Sequence, residues 1–157
     1  MQPQVILYRI GNFIHRKGLF RIARLMGYVN RIIFEYWLPS SAKIGYNVKL
    51  GYWGIGVVVH SNSVIVNNAT IGQNVTIGRN FGDSKVPVIG NDVYIGTGSM
   101  LFGEIIVGDN VIIGCNSVVN KDIPSNSTVA GNPYKILKEN RIEKYYELDK
   151  VRATTSK

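Results

Sequence analysis

The stretch from Ile89 to Pro124, which reads IGNDVY IGTGSM LFGEII VGDNVI IGCNSV VNKDIP, repeats with a period of six residues. An aliphatic residue opens each of the six units, and a glycine follows it in four of them. A fixed period indicates structural units that cannot bury their apolar residues alone and must stack on their neighbours. The period therefore predicts a parallel β-helix in which three units make one triangular coil.

The residue types at the sides and corners fit such a coil. An inward aliphatic side chain on each side would stack on the same position one coil above and below, giving a continuous apolar column. The corners need residues that tolerate unusual backbone angles, such as glycine, asparagine and aspartate. These occur at Asn91-Asp92, Thr97-Gly98, Asp109-Asn110 and Asn116. An antiparallel sandwich of short strands is the alternative, and strict spacing over six consecutive units argues against it.

Similar units precede this stretch from Pro39 onward, but the period fails twice. Nine residues instead of six separate the aliphatic positions Leu50 and Val59, so three residues are inserted around Tyr52 and Trp53. Residues 82–87 fill one unit with Asp83 at the position where the aliphatic residue belongs. An insertion in a solenoid must bulge to one face, and such loops often carry function. We expect the function of the chain to depend on these two interruptions.

Composition describes one folded body with short appendages. The chain has 157 residues, of which 45% are hydrophobic and 18% charged, which is typical of a globular protein. A single cysteine, Cys115, cannot form an internal disulfide and so predicts a reducing compartment. One cysteine and two distant histidines do not predict a metal site. The sequence contains no recognised nucleic-acid motif, so a nucleic-acid partner is not expected.

The first 38 residues predict two amphipathic helices, broken near Lys17-Gly18. Their apolar residues recur at helical spacing: Ile6, Ile10, Phe13, Ile22, Leu25, Met26, Val29, Ile32 and Ile33. Six arginines and lysines against one glutamate give this segment +5 of the net charge of +8. No apolar run reaches the roughly 18 residues of a membrane span, and no signal peptide is present. These helices either pack on the β-helix or a neighbouring subunit, or bind an anionic membrane or substrate.

Beyond Pro124 the repeat ends. Apolar residues at roughly helical spacing between 135 and 149 predict a C-terminal helix that caps the open end of the coil. The tail, residues 151–157, is predicted to be disordered. The predicted organisation is a helical segment at 1–38, a β-helix at 39–133, and a C-terminal helix with a tail at 134–157.

Residues 113–136, IGCNSVVNKDIPSNSTVAGNPYKI, resemble the last coil and exit segment of hexapeptide-repeat acyltransferases. Lys121-Asp122-Ile123-Pro124 followed by Gly131-Asn132-Pro133 carries the resemblance. It is closest to the serine acetyltransferase-like branch of cysteine and surface-polysaccharide biosynthesis. The resemblance implies an all-β fold: a left-handed parallel β-helix with N-terminal amphipathic helices and a short C-terminal helix. It also implies a homotrimer with acetyl-CoA, and no metal, in the groove between neighbouring subunits.

The resemblance also supplies candidate CoA contacts. Thr97 and Cys115 follow a corner glycine, Asn120 and Lys121 lie on the last coil, and Lys135 follows Asn-Pro. Exposed amides of the coil can bind an extended pantetheine arm as an added strand would, and lysines can pair with nucleotide phosphates.

The sequence departs from the family at the catalytic positions. Acyl transfer to a hydroxyl needs a base, usually a histidine with a pKa near the working pH. Where serine acetyltransferases have two histidines, this chain has Tyr52 or Trp53 and Val86. Where they have the aspartate that pairs with the first histidine, it has Trp37 or Gly51.

Two other residues are candidates for the catalytic base. His60 follows the Val57–Val59 run at a predicted corner, and Asp83 lies in the second interruption. His60 also fits a purely structural corner role. An ordinary exposed aspartate is too acidic to deprotonate a hydroxyl efficiently.

These observations predict an acetyl-CoA-dependent O-acetyltransferase acting on a sugar or glycan precursor in bacterial surface-polysaccharide biosynthesis. Tyr52 and Trp53 would stack on a sugar ring of the acceptor. One alternative is a serine O-acetyltransferase of cysteine biosynthesis, and another is a non-catalytic hexapeptide-repeat scaffold. We expect a cytoplasmic protein, held at the inner face of the membrane if the basic N-terminal helices bind lipid.

Overall fold

Two long N-terminal helices and a parallel β-helix form most of the structure, a computed structural model that describes residues 2–148. Helix α1 is Pro3–Arg16 and helix α2 is Phe20–Phe34. Gly18 lies between them with φ of +82°, a conformation that glycine adopts without strain. The predicted break near Lys17-Gly18 is therefore confirmed.

The β-helix has three sheets, one on each side of a triangular coil of about four turns. Sheet 1 contains β1 (Lys43–Ile44), β4 (Val64–Ile65), β7 (Val88–Ile89) and β10 (Ile106–Val107). Sheet 2 contains β2 (Lys49–Leu50), β5 (Thr70–Ile71), β8 (Tyr94–Ile95), β11 (Ile112–Ile113), β13 (Thr128–Ala130) and β14 (Lys135–Lys138). Sheet 3 contains β3 (Val58–Val59), β6 (Thr76–Gly78), β9 (Met100–Phe102) and β12 (Val118–Val119). Every strand pairing is parallel except β13 with β14, so the predicted parallel β-helix is confirmed.

The aliphatic positions of the six-residue period form the core. In sheet 1, Ile44, Ile65, Ile89 and Val107 lie directly above one another in the strand register. The six positions predicted from residues 89–124 are at most 1% exposed: Ile89, Ile95, Leu101, Val107, Ile113 and Val119. One aliphatic side chain per side thus fills the coil, as the period predicts.

Helix α1 covers the open edge of the first coil by hydrogen bonding. The Tyr8 hydroxyl donates to the carbonyl of Ala42 at 2.6 Å, and the Arg9 guanidinium donates to the carbonyls of Ile44 and Gly45. The side-chain amide of Gln2 both donates to and accepts from the backbone of Leu50, at 2.8 Å each. An exposed strand edge presents unpaired backbone groups, and these contacts satisfy them.

The N-terminal helices pack on the β-helix, one of the arrangements left open by the sequence, but not through the apolar residues that defined the helical pattern. The buried residues are Gln4, Val5, Tyr8 and Gly11 on α1, and Ala23, Gly27 and Asn30 on α2. All the apolar residues that defined the helical pattern are exposed except Met26, which is half-buried. Helix α1 docks on the first coil through Val5, Tyr8 and polar contacts with backbone groups, and the apolar residues of the helical pattern face away from the coil.

The C-terminal segment differs from the prediction in part. Lys135–Lys138 is not helical but forms β14, which pairs with the open edge of β13 and satisfies its backbone groups. A short helix is present at residues 145–148. Between them the chain runs back across earlier coils, where Lys144 contacts Asp92 at 2.8 Å and Tyr145 donates to the carbonyl of Asn68. The predicted disordered tail lies outside the described residues.

Candidate functional site

The turns that join sheet 2 to sheet 3 stack into one edge of the coil, here called the first edge. Thr97 and Cys115 lie on it in adjacent coils, where the Asn116 amide donates to the Thr97 carbonyl at 2.8 Å. Glycines permit this close stacking. A Cβ at Gly72 would be 2.7 Å from the Thr97 nitrogen, and a Cβ at Gly96 would be 2.5 Å from the Cys115 nitrogen.

Polar groups are available on the first edge. The Thr97 hydroxyl donates to the side-chain oxygen of Gln73, one coil earlier, at 2.9 Å. Within residues 2–148, the backbone N–H groups of Thr97 and Cys115 have no hydrogen-bond partner. Gln73 was not predicted as a site residue, although it follows the aliphatic-glycine pair of its unit as Thr97 and Cys115 do. Two unpaired donors one coil apart suit an extended ligand that runs along the edge.

The insertion around Tyr52 and Trp53 lies at the start of the same edge. Both residues have left-handed backbone angles, with φ of 45° and 62°, and Gly54 follows with φ of 88°. This conformation costs an L-residue about 1–2 kcal/mol, and such strain often occurs at functional sites. Hydrogen bonds hold the turn, because the Gly56 amide donates to the Glu35 carbonyl at 3.0 Å and the Asn74 amide donates to the Ile55 carbonyl at 2.9 Å.

Both aromatic side chains of the insertion face outward and line a cleft. Tyr52 is 75% exposed and Trp53 is 58% exposed. With Ile33, Phe34, Glu35 and Ile55 they enclose about 310 Å³. The Trp53 and Phe34 rings lie 6.1 Å apart between centroids. The cleft is mainly apolar and aromatic with one carboxylate, which is typical of a small-molecule site.

The turns that join sheet 3 to sheet 1 form a second edge, which holds both candidate bases. His60 is half-buried, and its amide donates to the Ile77 carbonyl at 2.8 Å. Its Nδ1 accepts a hydrogen bond from the Asn62 amide at 3.2 Å. The neutral ring therefore carries its proton on Nε2 and has no lone pair there to accept another. This arrangement matches the structural corner role.

Asp83 lies on the second edge in the loop at residues 79–86. Its amide donates to the Asn80 carbonyl at 3.2 Å, and its half-buried carboxylate lies beside Gly103 of the next coil. Phe81 at the tip of this loop is fully exposed, whereas Val86 is buried. Phe81 was not predicted as a site residue, and the only signal in the sequence is its position before Gly82, where the period fails.

Asn120 and Lys121 are exposed at the last turn of the second edge. Next to them, the Tyr134 hydroxyl donates to the Asp122 carbonyl at 2.6 Å. Burial, and then the charge of Asp122, raise the pKa of Tyr134, so its hydroxyl stays protonated as a donor. These contacts hold the exit segment against the turn that carries both candidate residues.

Lys135 joins the first edge and not the second, because β14 places it opposite Ala130, next to Gly131. The structure thus divides the predicted residues between two edges, at opposite ends of the strands of sheet 3. The first edge holds Tyr52, Trp53, Thr97, Cys115 and Lys135, and the second holds His60, Asp83, Asn120 and Lys121. One protomer alone does not bring the two sets together. No cluster able to bind a metal ion occurs in the described part of the chain.

Comparisons with known proteins agree with this fold. Residues 87–121 match the family model described as "Bacterial transferase hexapeptide (six repeats)". A serine acetyltransferase of Helicobacter pylori is 34% identical over 139 residues, which are 87% of this chain and 81% of that protein. The serine acetyltransferase structure from Brucella abortus has 30% identity and a TM-score of 0.84, over 89% of this chain and 57% of that one. A serine acetyltransferase complex with CoA has 31% identity and a TM-score of 0.78, over 85% and 55%.

The coil and its two edges define a hexapeptide-repeat transferase. At the identity and coverage found for the Helicobacter protein, the chain belongs to the serine acetyltransferase family. It spans four fifths of that relative but little more than half of the two solved chains. These relatives are all named serine acetyltransferases, so they do not support the predicted surface-polysaccharide branch.

Proposed function

We propose that this protein is an acetyl-CoA-dependent O-acetyltransferase whose acceptor is L-serine, the alternative raised from the sequence. The observation that carries the proposal is the 34% identity with a serine acetyltransferase over 87% of the chain. Acetyl-CoA is the co-substrate and no metal takes part. Because acetyl-CoA is a metabolite of the cell interior, we propose a cytoplasmic enzyme.

The donor site would use both edges. Successive coils are about 4.8 Å apart, so the Thr97 and Cys115 amides can bind successive polar groups of an extended pantetheine arm. Lys135 would pair with a nucleotide phosphate, as would Lys121. Since these lysines lie on different edges of one chain, a closed head-to-tail homotrimer would bring them together, with one site at each interface.

The proposed reaction transfers the acetyl group directly from CoA to the acceptor. The acceptor hydroxyl oxygen bonds to the thioester carbonyl carbon, the carbon–sulfur bond breaks, and the CoA thiolate leaves. A base removes the hydroxyl proton, and the thiolate takes up a proton to leave free CoA.

We expect His60→Ala to lower kcat by less than about threefold. The Nδ1 of His60 already accepts the Asn62 amide, whereas removing a working general base costs about 10²–10⁴-fold. Steady-state thiol release at saturating acetyl-CoA measures the effect. Asp83→Asn is the companion variant, because Asp83 is the other candidate base and lies on the same edge. A hundredfold loss in His60→Ala, with unchanged melting temperature, would identify His60 as the base.

A hydroxyl of a sugar or glycan precursor is the second candidate acceptor. It is favoured by Tyr52 and Trp53, two exposed aromatic side chains beside a cleft of about 310 Å³. By the resemblance, one of them stands where a serine acetyltransferase has a histidine. Aromatic faces pack well on the apolar faces of sugar rings, whereas L-serine offers no such surface.

Thiol release from acetyl-CoA distinguishes these functions. We expect release that depends on L-serine, and no release with nucleotide sugars or glycan fragments. Release with a sugar alone would instead support the second candidate. In that case Trp53→Ala should raise KM by about two- to tenfold, and Tyr46→Ala, which removes an exposed ring from another edge, should not. No release with any acceptor and no CoA binding in calorimetry would support the scaffold hypothesis.

A further inference from the structure

The helical hairpin formed by α1 and α2 exposes a large set of apolar side chains. Each of the following is more than 40% exposed: Ile6, Ile10 and Phe13 on α1, and Ile22, Leu25, Val29, Ile32 and Ile33 on α2. Ile32 reaches 80%. Single exposed apolar residues are common on soluble proteins, but a contiguous patch indicates an interaction surface.

These side chains form one surface, here called the hairpin face. Leu7 and Ile14 of α1 and Met26 of α2 are half-buried, and Met26 packs beside Gly11 where the helices meet. The helical repeat of 3.6 residues puts the exposed apolar residues of each helix next to these positions, on the side away from the buried residues. The hairpin face therefore continues across both helices.

Basic residues surround the hairpin face and acidic residues are absent from it. The first acidic residue of the chain is Glu35, so residues 1–34 contain no carboxylate side chain. Arg9 is bound to the first coil, and five other basic residues are exposed: Arg16, Lys17, Arg21, Arg24 and Arg31. On α2, Arg21, Arg24 and Arg31 follow one flank, beside the stripe that contains Leu25 and Ile32.

From this pairing of an apolar surface with a basic flank we infer that the hairpin face docks on an anionic lipid membrane. A helix that lies in the membrane interface has apolar residues on one face and arginines or lysines on the other. Anionic lipid headgroups complement the five exposed cations. A contact between two hairpin faces fits less well, because it would bring two basic flanks together.

The docking is peripheral and leaves the coil outside the bilayer. Among the described residues, no helix is long and apolar enough to cross a membrane. The contacts of Gln2 with Leu50 and of α1 with Ala42 and Ile44 hold the hairpin at the first coil, with its buried face on the coil and the hairpin face turned away. Ile33 belongs to the hairpin face and also lines the cleft beside Trp53. The membrane surface would therefore lie close to that cleft.

Sedimentation of the full chain with vesicles tests the inference. We expect binding to vesicles of phosphatidylcholine mixed with phosphatidylglycerol, much weaker binding to phosphatidylcholine alone, and a loss of binding as salt is added. Leu25→Ser with Ile32→Ser should weaken binding by more than about tenfold. Arg21→Gln with Arg24→Gln should weaken it by about fivefold for each arginine removed. Ile142→Ser and Lys49→Gln change exposed residues elsewhere and should have no effect.

Two results would overturn the inference. One is no binding of the wild type to the phosphatidylglycerol vesicles, and the other is binding that Leu25→Ser with Ile32→Ser leaves unchanged. If the wild type does not bind vesicles and the same double variant lowers the mass measured by light scattering, a second copy covers the hairpin face. Because Leu25 and Ile32 are exposed, an unchanged melting temperature should show that the variant is folded.

Discussion

Replacement of Gly96 by alanine is expected to lower the free energy of unfolding by about 3 kcal/mol or more. The added Cβ would lie 2.5 Å from the Cys115 nitrogen, 2.7 Å from the Gly114 carbonyl carbon and 2.8 Å from the Ile113 oxygen. All three atoms belong to the backbone of the next coil, which the Gly96 amide already contacts through the Ile113 carbonyl at 2.8 Å. Neither coil can move without breaking the hydrogen bonds between them.

Urea unfolding of the variant, followed by circular dichroism, measures this loss. Gly27→Ala is the matched control, since among the described residues an added Cβ there has no atom within 4 Å apart from its chain neighbours and the backbone of its own helix. Its position inside α2 predicts an unchanged stability or a gain of up to about 1 kcal/mol. A loss below about 1 kcal/mol in Gly96→Ala would show that the coils can separate to admit a methyl group.

The coil was predictable from the sequence because one inward aliphatic side chain on each side determines how the chain folds into it. Ile89, Ile95 and Leu101 mark three successive sides, and a shift of one residue would turn each of them outward. The position of a residue within its unit also fixes its edge. Thr97 and Cys115 occupy equal positions in their units, which is why the structure places both on the first edge.

The packing of the N-terminal helices was not predictable in the same way. A stripe such as Leu25, Val29 and Ile32 gives the same periodic pattern whether it faces a core, a membrane or a partner. The packing is decided here by the backbone groups of the first coil, which need hydrogen-bond partners. Tyr8 and Arg9 supply such partners, and hydrophobic periodicity gives no information about them.

The chemistry of the site could not be predicted from the sequence, because it depends on contacts between residues that only the structure shows. His60 was placed correctly at a corner, but its value as a base depends on a hydrogen bond from Asn62 to Nδ1. Lys135 was expected near the exit of the coil, and its place on the first edge follows from the pairing of β14 with β13. That pairing replaced part of the predicted C-terminal helix, because the open edge of β13 needed a partner.

Two variants that each fail to bind CoA are expected to regain binding when they share one trimer. Lys135→Glu reverses a charge on the first edge, and Lys121→Glu reverses one on the second. In a head-to-tail trimer, a site would take its first edge from one protomer and its second from the next. The site is intact only where two conditions are met. The Lys121→Glu protomer, which keeps Lys135, must supply the first edge, and the Lys135→Glu protomer, which keeps Lys121, must supply the second. Random mixing gives this order at about a quarter of the interfaces.

Co-expression of the two variants with different affinity tags provides the mixed trimers, and titration calorimetry with CoA counts the sites. Trimers made of one variant alone are the controls and should bind no CoA. Any site recovered in the mixed trimers must therefore combine two different protomers. Trimers that contain both variants yet bind no CoA would mean that both lysines act on one ligand within a single protomer. The two edges lie at opposite ends of the strands of sheet 3, so that arrangement would need the ligand to cross the whole face of this sheet. Recovery of about a quarter of the sites would therefore support the trimeric site without relying on any acceptor.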